Sequence, residues 1–209
     1  MENLNKKDIF RKNAKKALKN ELKFSAKSKH YTMLKTLEEV IKFTNSKRIL
    51  LFMPLPYEPN LLTLRRKFTL KYQIYIPFMQ NVSFKMVKLR APFYSSHFGV
   101  KENKNQNEYK KRIDLAVIPV IGVDGKMARI GHGKGYYDIF FSKLKYKPIM
   151  VFVEIKDMFS KKILSQIHDI RGDFYITPTK NYISRGKYDR DYCRLRSRCS
   201  GSWRRVSVR

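Results

Sequence analysis

Cysteine is nearly missing from this 209-residue chain. Cys193 and Cys199 are the only two, which excludes a disulfide framework and a cysteine-built metal site. Acidic residues are scarce, 17 against 46 Lys and Arg. No apolar run approaches the roughly 20 residues needed to span a bilayer. The first ten residues, MENLNKKDIF, lack the apolar centre of a secretory signal. A cytoplasmic protein with no membrane association is the expectation that follows.

Hydrophobic residues make up 43% of the chain, enough for a packed core and too many for a disordered polymer. The formal charge of +29 suits nucleic acid, an anionic membrane surface or a polyanionic small molecule. It also suits a plainly solvated surface, because lysine is spread over almost every segment.

Alternating patterns predict the architecture. Residues 5–23 place Phe10, Ala14, Ala17, Leu18 and Leu22 on one helical face, with Lys7, Arg11 and Lys15 as a basic stripe beside it. Residues 27–44 read as a second helix with Tyr31, Leu34, Leu37, Val40 and Ile41 inward. Buried strands are expected at Arg48–Met53, Leu115–Ile121 and Pro148–Glu154, where the apolar runs are continuous. Further strands are expected at Tyr72–Pro77, Phe84–Leu89 and Asp173–Thr177, a short helix at Asn60–Phe68, and a helix or turn at Met158–Ile167 with Phe159, Ile163 and Leu164 inward. Such alternation predicts an α/β fold: three layers, a mostly parallel sheet flanked by helices, Rossmann-like. After Met53, three prolines (Pro54, Pro56, Pro59) force a loop at the carboxyl end of a strand, where open α/β sheets bind ligands.

The most distinctive stretch is Arg129-Ile130-Gly131-His132-Gly133-Lys134-Gly135-Tyr136-Tyr137-Asp138. Glycine at every second position frees the backbone to approach a ligand closely, and Arg129 and Lys134 bring cations to the same loop. A helix is expected from Tyr136 to Leu144, so the loop would end on a helix N-terminus. This is not a P-loop, since Lys134 is followed by Gly135 rather than Ser or Thr, and its glycine spacing is not that of a dinucleotide fingerprint. A glycine-rich turn joining strand to helix is the plainer alternative. For Asp138 a helix-start role competes with ligand binding, and for Asp169 a turn role does. His132 and His168 read as local polar residues.

The order of residues 129–138 closely resembles the signature of the 5-formyltetrahydrofolate cyclo-ligase (methenyltetrahydrofolate synthetase) family, and the resemblance extends over about residues 5–178. It implies ATP- and Mg²⁺-dependent conversion of 5-formyltetrahydrofolate to 5,10-methenyltetrahydrofolate through a phosphorylated formyl group, with ADP and phosphate released. It implies that Lys7 and Arg11 reach the nucleotide phosphates, joined by Arg129, Ile130, Gly131, His132, Gly133, Lys134, Gly135, Tyr136 and Tyr137. Lys134 and Arg129 would be catalytic. Folate would be held by Met53 and Glu58, with His132, Gly133, Lys134, Gly135 and Tyr136, and Mg²⁺ by Asp138 and Asp169. Tyr137 would pack at the nucleotide side. Phe98-Gly99-Val100-Lys101-Glu102 keeps most of a family segment near the substrate, although Asn103 stands where the family has Pro. A monomer is the expectation.

Composition shifts at Arg185. Residues 185–209 carry eight Arg and one Lys against two Asp, together with Trp203 and both cysteines. Two parts are therefore expected: a cyclo-ligase-like domain over 1–184 and an Arg-rich tail over 185–209 that is disordered or non-native, such as a shifted reading frame would leave, with a nucleic-acid-binding tail as the alternative. Two rival functions stay open: a basic nucleic-acid-binding protein, and a related ATP-dependent enzyme with another acyl substrate.

Overall fold

The computed structural model describes the chain except residues 1, 62–64, 81, 96–100, 104–106, 167, 187, 190–191, 199–201 and 209, and the side chains of 2–5, 22–30, 65–67, 95, 101–102 and 198. In chain order the elements are α1 (Glu2–Phe43), β1 (Arg48–Leu50), α2 (Arg65–Lys71), β2 (Gln73–Gln80), β3 (Ser83–Lys88), β4 (Phe93–Ser95), β5 (Lys101–Asn103), β6 (Leu115–Pro119), β7 (Gly122–Val123), β8 (Arg129–Ile130), α3 (Tyr136–Ser142), β9 (Ile149–Val153), β10 (Phe174–Ile176), β11 (Lys180–Ser184), α4 (Tyr192–Arg198) and β12 (Ser202–Val206).

Eight strands form one sheet in the order β12-β11-β10-β9-β6-β1-β2-β3. Pairing is parallel except at β2–β3 and β10–β11. The expected α/β class, with a mostly parallel sheet flanked by helices, is what the chain adopts. The central strands are buried throughout: β6 has no exposed position. Alternate residues serve opposite faces, as a period of two requires. Ile49, Leu115, Val151 and Phe174 join one core cluster; Leu50, Ala116, Phe152 and Tyr175 join the other. No helix among the described residues is long and apolar enough to cross a membrane.

Two predicted helices are in fact one. α1 runs 42 residues without interruption, because the stretch Lys23–Lys27 contains neither Gly nor Pro to stop it. Its second half packs Met33, Leu34, Leu37, Val40 and Ile41 on the sheet. Tyr31, expected inward, points to solvent at 70% exposure, one position off that stripe. The first half overruns the sheet. There Ala14 and Leu18 pack on Ile121 and Ile155, which follow the carboxyl ends of β6 and β9. A continuous helix thus carries Lys7 and Arg11 over the carboxyl edge of the sheet.

Other expectations need correction. Phe93–Glu102, read as a loop, contributes the hairpin β4–β5; Phe98, Gly99 and Val100 lie outside the described residues. Residues 158–166 contain no helix, and Ile163 is exposed; Ile167 is outside the described residues. The tail is not wholly disordered. β12 pairs in parallel with β11 over five positions, Trp203 is buried against Phe174, and Leu195 of α4 joins the core. The arginines masked this because they alternate with the few apolar residues that face inward.

Candidate active site

The glycine loop is built from below by Arg129. Its side chain runs beneath the loop, so a Cβ on Gly131 would fall 2.3 Å from Arg129 Nη1. The guanidinium is 6% exposed. Its Nε donates to the Pro119 carbonyl at 3.3 Å, its Nη1 donates to Asp138 Oδ2 at 3.0 Å, and it lies 5.0 Å from the Tyr137 ring centre. Gly133 and Gly135 take φ of +110° and +69°, the left-handed region that side-chain-bearing residues avoid. The helix that follows, α3, is only seven residues long, so its dipole contributes little.

A buried carboxylate sets the far wall. Asp124, fully buried, accepts from the amides of Lys126 and Ala128 on one oxygen and from those of Leu164 and Ser165 on the other. Burial opposes its charge, but these donors win and hold its pKa below the usual range. Arg129 N donating to Ile170 O and Gly172 N donating to Met127 O complete the stitching. The 160–172 segment is thereby fixed beside the β7–β8 hairpin, which delivers Asp169 to the site from far along the chain.

Two cavities result, one on each side of the loop. The first, about 360 Å³, is lined by Lys7 and Arg11 of α1, by Gly131, Gly133 and Gly135, by Asp138, and by Gln166, His168 and Asp169. Arg11 Nε donates to the Gly131 carbonyl at 3.0 Å, and Lys7 Nζ donates to Asp169 Oδ2 at 2.5 Å. Two carboxylates beside a cationic, glycine-lined hollow fit Mg²⁺ carried in with phosphates, because that ion keeps several waters and takes few protein ligands. No group of three His, Cys, Asp or Glu that could hold a metal ion is gathered among the described residues.

The second cavity, about 320 Å³, is mainly apolar. Met53, Pro77, Met79, Tyr136 and Tyr137 form much of its wall, with Glu58, His132 and Lys134 as its polar points. Glu58 is buried, and burial pushes its pKa up to about 7 against the pull of the Leu55 amide and Arg129. His132 is held down to about 4, by burial first and then by Arg129, Lys15 and Arg11. Tyr57 Oη lies 2.8 Å from His132 Nε2. Near neutral pH the cavity therefore presents an uncharged imidazole and a carboxyl close to its midpoint, groups able to bind the donors and acceptors of a heteroaromatic ring.

Arg129 and Gly135 border both cavities. Of the residues expected at the nucleotide, Lys7, Arg11, Arg129, Gly131, Gly133 and Gly135 do line the cationic cavity. His132, Lys134, Tyr136 and Tyr137 line the apolar one instead, and Ile130 is fully buried and lines neither. Tyr137 lines the apolar cavity beside Tyr136. Glu154 went unseen in the sequence. It ends the β9 run with 1% exposure, accepts from Ile155 N at 2.7 Å, and has its pKa raised by burial and then by Glu58. Its position after a continuous apolar strand was the available signal. His168, read as a local polar residue, also borders the cationic cavity.

The profile describing the 5-formyltetrahydrofolate cyclo-ligase family matches residues 3–167. The chain belongs to the 5-formyltetrahydrofolate cyclo-ligase family. A 5-formyltetrahydrofolate cyclo-ligase of Saccharomyces cerevisiae is 31% identical over 102 residues, which is 46% of this chain and 47% of the yeast protein. The match thus spans about half the length of that relative. Among solved structures, the 5,10-methenyltetrahydrofolate synthetase of Aquifex aeolicus superposes with a TM-score of 0.67 at 21% identity, covering 82% of this chain and 89% of that one. The 5,10-methenyltetrahydrofolate synthetase from Mycoplasma pneumoniae gives 0.60 at 20% identity, covering 82% and 98%. These two likenesses concern the fold.

Proposed function

We propose that this cyclo-ligase family member closes 5-formyltetrahydrofolate to 5,10-methenyltetrahydrofolate at the expense of ATP. One observation carries the reading: the glycine loop stands between a cationic cavity and an apolar one, with Arg129 shared by both. A reaction that moves a phosphoryl group onto an organic substrate needs this arrangement, because the γ-phosphate and the acceptor oxygen must meet across the loop.

Lys7, Arg11 and the loop amides would hold the phosphates, and the Met53–Glu58 wall would hold the pterin. The formyl oxygen attacks the γ-phosphorus and ADP departs. N10 then attacks the formyl carbon, the ring closes, phosphate leaves with the former formyl oxygen, and the N10 proton passes to solvent. Arg129 and Lys134 neutralise charge that develops on the transferred group. Mg²⁺ held by Asp138 and Asp169 would add charge neutralisation at the phosphates. N10 is already nucleophilic, so no dedicated base is required.

The test is the near-ultraviolet absorbance of the methenyl product after mixing protein, 5-formyltetrahydrofolate, Mg²⁺ and ATP. A rise that requires all three small molecules is expected. Folded protein that gives no rise overturns the reading.

A further inference from the structure

Both carboxylates that face the cationic cavity already hold a cation of the chain itself. Asp138 Oδ2 accepts from Arg129 Nη1 at 3.0 Å, and Asp169 Oδ2 accepts from Lys7 Nζ at 2.5 Å. Both partners of the second pair are nearly buried, so salt and water screen it little. Arg11 lines the same cavity. The described lining thus sets Lys7, Arg11 and Arg129 against Asp138 and Asp169. A divalent cation arriving alone meets a net positive field and two carboxylates that are already paired.

The two resident cations are not held alike. Arg129 is fixed by the Pro119 carbonyl, by Asp138 and by the Tyr137 ring, with Gly131 packed over it. Lys7 Nζ has one hydrogen bond among the described residues, to Asp169. Its four-carbon stem lets the ammonium turn to a new acceptor, which a guanidinium locked at several points does not do. Gly131, Gly133 and Gly135 line the cavity with it, so phosphates cradled by the loop come within reach of that ammonium. We propose that Lys7 guards Asp169: it serves as a built-in counter-ion and releases the carboxylate only when nucleotide phosphates enter to accept the ammonium. Binding of a divalent cation then depends on the nucleotide, and by linkage the dependence is reciprocal. The proposal rests on the nucleotide reading of this cavity. It gives removal of Lys7 two effects of opposite sign, tighter binding of a metal ion alone and weaker binding of nucleotide. A lysine that only binds phosphate, or only supports the fold, does not produce that opposition.

The experiment titrates protein, without nucleotide, into Mn²⁺, a hard oxygen-seeking ion whose unbound form is read by electron paramagnetic resonance. The parent is expected to bind it weakly, with a Kd of about 1 mM or more. In Lys7→Met the Kd should fall by about tenfold or more, because a positive charge leaves and Asp169 is freed. Lys7→Met/Asp169→Asn should return to the parent's weak binding. The Kd of a fluorescent ATP analogue should rise by about tenfold in Lys7→Met, since charge-assisted bonds to phosphate are lost. Lys7→Gln also removes the charge, carries the same expectations, and takes the place of Lys7→Met if that variant does not fold. An Mn²⁺ affinity that is unchanged or weaker without Lys7 overturns the proposal. So does Mn²⁺ binding by the parent that is as tight as in Lys7→Met, or tight binding that survives Asp169→Asn. If the parent does not bind the ATP analogue, the nucleotide reading fails on its own, and the Mn²⁺ comparison still decides whether Lys7 withholds Asp169.

Discussion

Lys7 Nζ and Asp169 Oδ2 are 2.5 Å apart although 162 residues separate them in the chain. Both side chains are almost fully buried, at 4% and 8% exposure. The pair ties α1 to the segment after β9 and closes the cationic cavity. Asp169 Oδ2 also accepts from Gln166 N at 2.7 Å, so losing the ammonium leaves a buried carboxylate with a single backbone donor among the described residues. Lys7→Met should lower the unfolding free energy by about 2–4 kcal/mol, near the range for breaking a buried pair. The double variant Lys7→Met/Asp169→Asn should lose clearly less than the two single variants combined. Urea denaturation of all four proteins measures this, and strictly additive losses would show the pair to be uncoupled.

Under the proposed cyclo-ligase function, Lys134 should separate catalysis from stability. It is exposed at the tip of the loop, 5.8 Å from the Tyr136 ring centre, and borders the apolar cavity. Lys134→Met should leave the urea midpoint nearly unchanged, within about 0.5 kcal/mol. Turnover should drop by about 10²–10³, the cost of removing one preorganised charge from a transition state. Near-normal turnover would remove Lys134 from its assigned role.

The parts of this molecule that were legible beforehand share a physical cause. Continuous apolar runs such as Leu115–Pro119 announce buried parallel strands, and alternate glycines with two cations announce a loop whose backbone borders a cavity. What stayed hidden depends on contacts between distant segments. Nothing local in Gln166-Ile167-His168-Asp169 says that Asp124 pins the preceding residues against the hairpin. Tyr136 and Tyr137 line one cavity together just after a left-handed turn at Gly135, which a residue pattern does not encode. The break expected near Ser25 required a signal that was absent, and a helix persists unless something stops it.

Glu58 and His132 make stability depend on pH in opposite directions. Glu58 is raised from 4.5 to about 7, so its contribution is complete below about 4.5 and disappears as pH climbs through 7, at about 3 kcal/mol in total. His132 is lowered from 6.5 to about 4, so its contribution is complete above about 6.5 and disappears as pH falls through 4. Between about 4.5 and 6.5 the two slopes offset each other. Relative to the parent, Glu58→Gln should therefore gain stability steadily as pH rises from 4.5 to 7. His132→Gln should show the reverse. Urea midpoints from pH 4 to 8 read this directly, and parallel profiles for all three proteins would show that neither group titrates as its burial dictates.

Trp203 decides whether the Arg-rich segment is an appendage. It is 5% exposed, its ring meets Phe174 edge-on with centres 6.2 Å apart, and its carbonyl accepts from the Tyr192 hydroxyl at 2.7 Å. Through β12 it also covers β11, whose Tyr182 and Ile183 are nearly inaccessible. Trp203→Ala should cost about 3–5 kcal/mol, as for other large aromatic truncations in a core. Trp203→Phe should cost much less, because the indole N–H has no partner among the described residues and its loss removes an unsatisfied donor. Truncation before Arg185 should lower Tm further and expose the β11 edge to association with other chains, visible as larger species by light scattering. A truncated protein with an unchanged Tm and no association would return residues 185–209 to the status of a dispensable tail, since a strand that truly completes the sheet cannot be removed without uncovering what it buries.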